Sequence, residues 1–136
     1  MARSIFAIVA GFLFIGALAF GADMVVRSVR PDAFAADGST DNVPMLIFML
    51  AYVALFAVSG CYLAARLAPN RPMRHALILG FLGLIFNIAG SAANWDHAPV
   101  WYHVVALVMV MPYAWLGGML AERHRAGTPA AQSLAV

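Results

Sequence analysis

Four runs of about 20 residues, nearly free of charge, limit what this chain can become, because a run of that length crosses the ~30 Å hydrocarbon layer of a membrane as a helix. They extend from about Ile5 to Val26, Pro44 to Ala65, His75 to Trp95 and Val100 to Ala121. Backbone polar groups in lipid must be satisfied within the segment, and the runs lack the alternation of a barrel strand, so each is expected to be a helix. Composition agrees. The chain is 64% hydrophobic and 10% charged, whereas soluble domains are roughly 45–50% apolar and about 25% charged. Four spans within 136 residues leave no room for a soluble domain. The expected fold class is therefore all-α: a polytopic membrane protein, one domain, built as a four-transmembrane-helix antiparallel bundle with a flexible tail over 122–136.

The start Met1-Ala-Arg-Ser and the triplet Ala17-Leu-Ala19 resemble a secretory signal, but the apolar stretch exceeds the usual ~7–15 residues, so it is read as a true span. Arginine placement sets the expected orientation, since positively charged loops stay on the cytoplasmic side. Arg3, Arg66, Arg71, Arg74, Arg123 and Arg125 fall on one side, and Arg27 and Arg30 on the other. Both termini are therefore expected in the cytoplasm of a bacterial cell, with the chain in the inner membrane. Trp95, Trp101 and Tyr102 lie where the outer headgroup level should be, the usual place for amphipathic rings.

Loop chemistry supports these limits. Asn42 or Asp41 is expected to cap the second helix with Pro44 in its first turn, and Asp96 with Pro99 to do the same for the fourth. Pro69 and Pro72 force a short inner loop. Pro31 to Ala36 has the composition of one helical turn ended by Gly38, and Gly127 with Pro129 opens the small-residue tail.

Several chemistries are excluded. All eight basic residues are arginine, so there is no Schiff-base lysine and no Walker-type phosphate lysine. Cys61 is the single cysteine, which rules out an internal disulfide or a thiolate metal cage. Eight scattered arginines make no nucleic-acid patch. His75 and His124 lie on the opposite side from His97 and His103, which argues against a haem held between facing helices. No metal and no cofactor is expected, and no serine–histidine–acid set shares one depth.

The polar residues inside the spans are the candidate sites. On the third helix Gly80, Gly83, Asn87, Gly90, Ser91 and Asn94 recur at three- and four-residue spacing and so share one stripe. Small residues let helix backbones approach, and an amide can hydrogen-bond across the contact, so the stripe reads either as packing or as the wall of a polar path. Gly117 and Gly118 give the fourth helix a similar close-packing face, beside a bend expected at Pro112. Asp23, the sole carboxylate within a span, lies near the outer boundary. It reads either as an i, i+4 ion pair with Arg27 or, together with Asn87, Ser91, Asn94 and His103, as a functional polar site. Arg66, Arg71 and Arg74 cluster where anionic lipid headgroups would lie.

From Gly60 to Leu120 the chain resembles a group of small, uncharacterised bacterial four-span membrane proteins. The residues that carry the resemblance are AARLAPNRPMRHALILG (Ala64 to Gly80), PVWYHVVAL (Pro99 to Leu107) and PYAWLGGML (Pro112 to Leu120). The group implies the four-span fold but no reaction or ligand. The leading functional expectation is an accessory or assembly subunit that contacts the lipid bilayer and a membrane-protein partner, or a homo-oligomer. A small transporter or channel is the alternative, and a lipid- or isoprenoid-modifying enzyme the third.

Overall fold

The structure is a computed structural model in which residues 2–127 are described. It is built from four long helices, α1 (Ala2–Val29), α2 (Val43–Leu67), α3 (Pro72–Ala93) and α4 (Val100–Ala126), joined by two connections that each contain a 3-10 turn and one that does not. All four are long and apolar enough to cross a membrane. The tail from 128 onward lies outside the described residues.

The helix ends depart from the apolar runs for local reasons. Asn42 caps α2, its side chain accepting from the Met45 N–H at 3.1 Å, with Pro44 in the first turn. α3 begins at Pro72, three residues earlier than expected, because proline at the first helical position forfeits no hydrogen bond. It stops at Ala93, leaving Trp95 in a 3-10 turn over Trp95–His97. Asp96 belongs to that turn and does not cap α4, whose N-cap is Pro99 without a side-chain bond. α4 continues to Ala126, five residues into the stretch expected to be tail, with Arg123, His124 and Arg125 in its last turn. Cations there complement the helix dipole. The connection between α1 and α2 holds a 3-10 turn at Pro31–Ala33, shorter than expected since Phe34 is already extended, and a tight turn in which Gly38 takes φ +83°.

Inward positions carry small residues and outward positions large ones. The core is Cys61, Ala64, Ala65, Ala76, Leu79, Ala114 and Ala121, with Ile8, Phe12, Ile15 and Tyr62 against it. Phe6, Phe20, Leu55 and Val108 are each more than 60% exposed, the distribution suited to a lipid surround, where close backbone approach rather than hydrophobic burial holds helices together. α2 packs against the other three helices and α3 pairs closely with α4, while α1 leans on α2, touches α3 less and barely meets α4.

Glycine contacts close one half of the bundle. A Cβ on Gly11 would come within 2.9 Å of Leu79, the Gly60 carbonyl and Ala64, and one on Gly117 within 2.8 Å of Val58, Cys61 and Tyr62. Neither position admits a side chain without moving backbone or core. The other half has no such contacts, since a Cβ on Gly16, Gly21 or Gly90 would meet nothing within 4 Å. Thr40 ties the α1–α2 connection across that half, donating its N–H to the His97 carbonyl at 3.0 Å and its hydroxyl to the Ala33 carbonyl at 2.7 Å.

Candidate functional site

Where α1 diverges from α3 and α4, the bundle has a cavity of about 510 Å³ that is open on one side. Each helix turns one face to it. α1 contributes Ile15, Ala19 and Asp23 at four-residue spacing, α2 Leu50, Val53, Ala57 and Cys61, and α4 His103, Ala106, Val110 and Tyr113. α3 presents Gly80, Gly83, Asn87, Gly90, Ser91 and Asn94. The stripe seen in the sequence of α3 therefore faces the cavity over most of its length, and the five polar residues singled out there, Asp23, Asn87, Ser91, Asn94 and His103, all line the same space. Tyr102 joins them, and Phe12, Phe86 and Leu50 supply apolar wall.

Asp23 does not pair with Arg27. Its Oδ1 accepts the Tyr52 hydroxyl, which reaches across from α2. The α1–α2 connection folds back over the end of α1 and captures the guanidinium instead. Arg27 Nη1 donates to the Gly38 carbonyl at 3.1 Å, and the guanidinium carbon lies 4.7 Å above the centre of the Phe34 ring. Among the described residues the one ion pair is Arg30 with Asp32, at 3.0 Å. Tyr52 was not singled out as Asp23's partner. It stands nine residues into α2, and Asp23 six before the end of α1, so at ~1.5 Å per residue the two lie at similar depths on consecutive helices.

The other polar residues differ in what they have left to offer. Asn94 donates its side-chain amide to the Gly90 carbonyl at 2.9 Å and so finishes its own helix. His103 is buried, with its ring stacked on Trp95 at 5.0 Å and Nε2 donating to the Trp95 carbonyl at 3.2 Å. The half-buried Asn87 amide and the buried Ser91 hydroxyl have no hydrogen-bond partner among the described residues.

The glycines divide in the same way. Gly80 packs against Ala114, Gly117 against α2, and Gly118 against Met73 and Ala76. Gly83 approaches only Val110, at 3.9 Å for an added Cβ, and Gly90 has no neighbour. Both line the cavity, on the side of α3 from which α1 lies away.

At the arginine-rich end the side chains serve the helices. Arg125 Nη2 donates to the carbonyls of Ala65, Arg66 and Ala68 at 3.0, 2.9 and 2.5 Å. It thereby satisfies the last turn of α2, a role that the preference of cations for helix C-termini could have suggested. Arg66 donates to the Tyr62 hydroxyl at 3.1 Å. Arg71 and Arg74 are exposed, and Arg71 holds a left-handed backbone at φ 44° so that its carbonyl can accept from Arg74 and His75.

A larger cleft of about 650 Å³ lies outside the bundle between α1 and the start of α2, lined by Val25, Val29, Met45 and Phe48. Its polar groups are already engaged, Arg30 by Asp32 and Asn42 as the α2 cap. Among the described residues no three His, Cys, Asp or Glu side chains gather where they could hold a metal ion. No protein-family model, curated protein or solved structure matches the chain.

Proposed function

We propose that the chain is a small transporter-class protein of a bacterial inner membrane, an antiparallel four-helix bundle with both termini cytoplasmic, that binds a small molecule in the cavity between its helices. The observation that carries this reading is one cavity of about 510 Å³ lined by polar residues from α1, α3 and α4, beside a half sealed by glycine contacts. Ligand cavities are commonly ~300–1,000 Å³, mostly apolar, with a few convergent polar groups. Arginine placement puts the sealed half at the cytoplasm and the cavity toward the outer face. Passage across the membrane then requires α1 to part from α2 and α3 at Gly11, Gly60 and Leu79.

The test is saturable uptake, by reconstituted vesicles, of a panel of small amphipathic solutes of both charges. Uptake of at least one solute, lost in Asn87→Leu while size on native gels is unchanged, supports the reading. No saturable uptake of any solute contradicts it.

A second reading, the accessory or assembly subunit bound to a membrane-protein partner or another copy, is favoured by a different observation. Gly21 on α1 lies outside the cavity lining and has space around it in this chain, and small residues free of contacts are where a further helix can approach. Loss of a co-purifying partner in Gly21→Leu, with uptake absent from the unmodified protein, would support it. The basic residues Arg66, Arg71 and Arg74 are proposed to rest against anionic headgroups in either case.

A further inference from the structure

We infer that the cavity takes an organic monocation, an ammonium compound with an apolar body, held through Asp23. This rests on the reading of the cavity as a ligand site. Asp23 is the one formally charged side chain on its wall, and no arginine lines it. The nearest basic side chain in sequence, Arg27, is occupied by the Gly38 carbonyl and the Phe34 ring. One carboxylate oxygen accepts from Tyr52, and the other has no partner among the described residues. A carboxylate on a largely apolar wall, with no ion-pair partner among the described residues, favours an occupant that brings a positive charge and disfavours an anion.

Other free groups can join it. Asn87 offers an amide oxygen and Ser91 a hydroxyl oxygen that can accept from an ammonium group, while the charge preference itself is carried by Asp23. The faces of Phe12 and Phe86, whose ring centres are 5.0 Å apart, together with Tyr102, add aromatic surface suited to an apolar body or to a cation. A lipid acyl chain could fill the apolar part but would leave the carboxylate unanswered.

Three probes of nearly equal size and different charge test this on the full chain in detergent at neutral pH: 2-phenylethylammonium, 2-phenylethanol and 3-phenylpropionate, with binding followed by calorimetry. The expected order is ammonium, then alcohol, then carboxylate, with the ammonium tighter than the alcohol by about tenfold or more. Asp23→Asn should remove that preference, the ammonium losing more affinity than the alcohol, whereas Asp23→Glu should retain it. If Asp23→Asn does not fold, the order of the three probes on the unmodified chain decides by itself. Equal or tighter binding of the alcohol or the carboxylate overturns the cation assignment while leaving the cavity a ligand site. Binding of none of the three overturns the assignment, and the uptake panel then decides separately whether the transporter reading stands.

Discussion

Arg125 supplies one nitrogen to three carbonyls at the end of α2, and that contact joins the last turns of two helices distant in sequence. Arg125→Ala should lower unfolding stability in detergent by about 1–3 kcal/mol, the usual worth of hydrogen bonds to a charged group, while the neighbouring Arg123→Ala should stay within about 0.5 kcal/mol. Arg71 sits at φ 44° immediately before a proline, where a residue with a Cβ is strained, so Arg71→Gly should raise stability by about 0.5–1 kcal/mol in the same assay. In the α1–α2 connection Asp37 accepts from the Ser39 N–H at 3.0 Å and the Ser39 hydroxyl at 2.7 Å. Those bonds, the backbone one first, hold its carboxyl below the ordinary value of 3.8, and Arg30 does the same for Asp32 by hydrogen bonding and then by charge. A lowered carboxylate pKa contributes stability above the ordinary value that is lost as pH falls through the lowered one. Amide protection at Gly38 and Ser39 should therefore fall as the solution is acidified below the ordinary carboxylate range, and Asp37→Asn should remove most of that dependence. At this scale the sequence disclosed Asp23 and its depth but not its partner. Its i+4 neighbour Arg27 was the local choice, and the chain fold offered Tyr52 to the carboxylate and Gly38 to the guanidinium instead.

The four helices were legible as elements because their apolar runs match a membrane's thickness and because Asn42 and Pro44 punctuate the start of α2. Their ends were not, since a hydropathy pattern fades at the first charge while a helix does not, as the last turn of α4 shows. Which glycines pack was legible only in part. Spacing placed Gly80, Gly83 and Gly90 on one face, but whether another helix meets that face depends on the path of α1. Paired substitutions separate the two outcomes. Gly117→Ala forces a Cβ to 2.6 Å from the Val58 carbonyl oxygen and should cost about 1–3 kcal/mol through overpacking. Gly90→Ala, with no atom within 4 Å of its Cβ, should be neutral or slightly stabilising. Both are read from thermal unfolding in the same micelle.

For the molecule as a whole, the account depends on a bundle sealed in one half and open in the other. The seal is made of backbone contacts at Gly11, Gly60 and Gly117. The open half gathers Asp23, Asn87, Ser91, Asn94 and His103 around one cavity. Those five residues could be picked out from their place inside apolar runs. Their convergence on one space could not, because it follows from how far α1 leans away from α3 and α4, which no spacing within a single helix encodes. The most direct measurement is labelling of a cysteine introduced at Asn87, in a Cys61→Ala background, by a small membrane-impermeant thiol reagent added to either side of sealed vesicles, with Ala64→Cys as the buried control. The account predicts rapid modification at position 87 from the side facing Asp23, none from the arginine-rich side, and none at position 64 from either. Position 87 as unreactive as position 64 would mean that the α3 stripe is packed against protein, and would contradict the account.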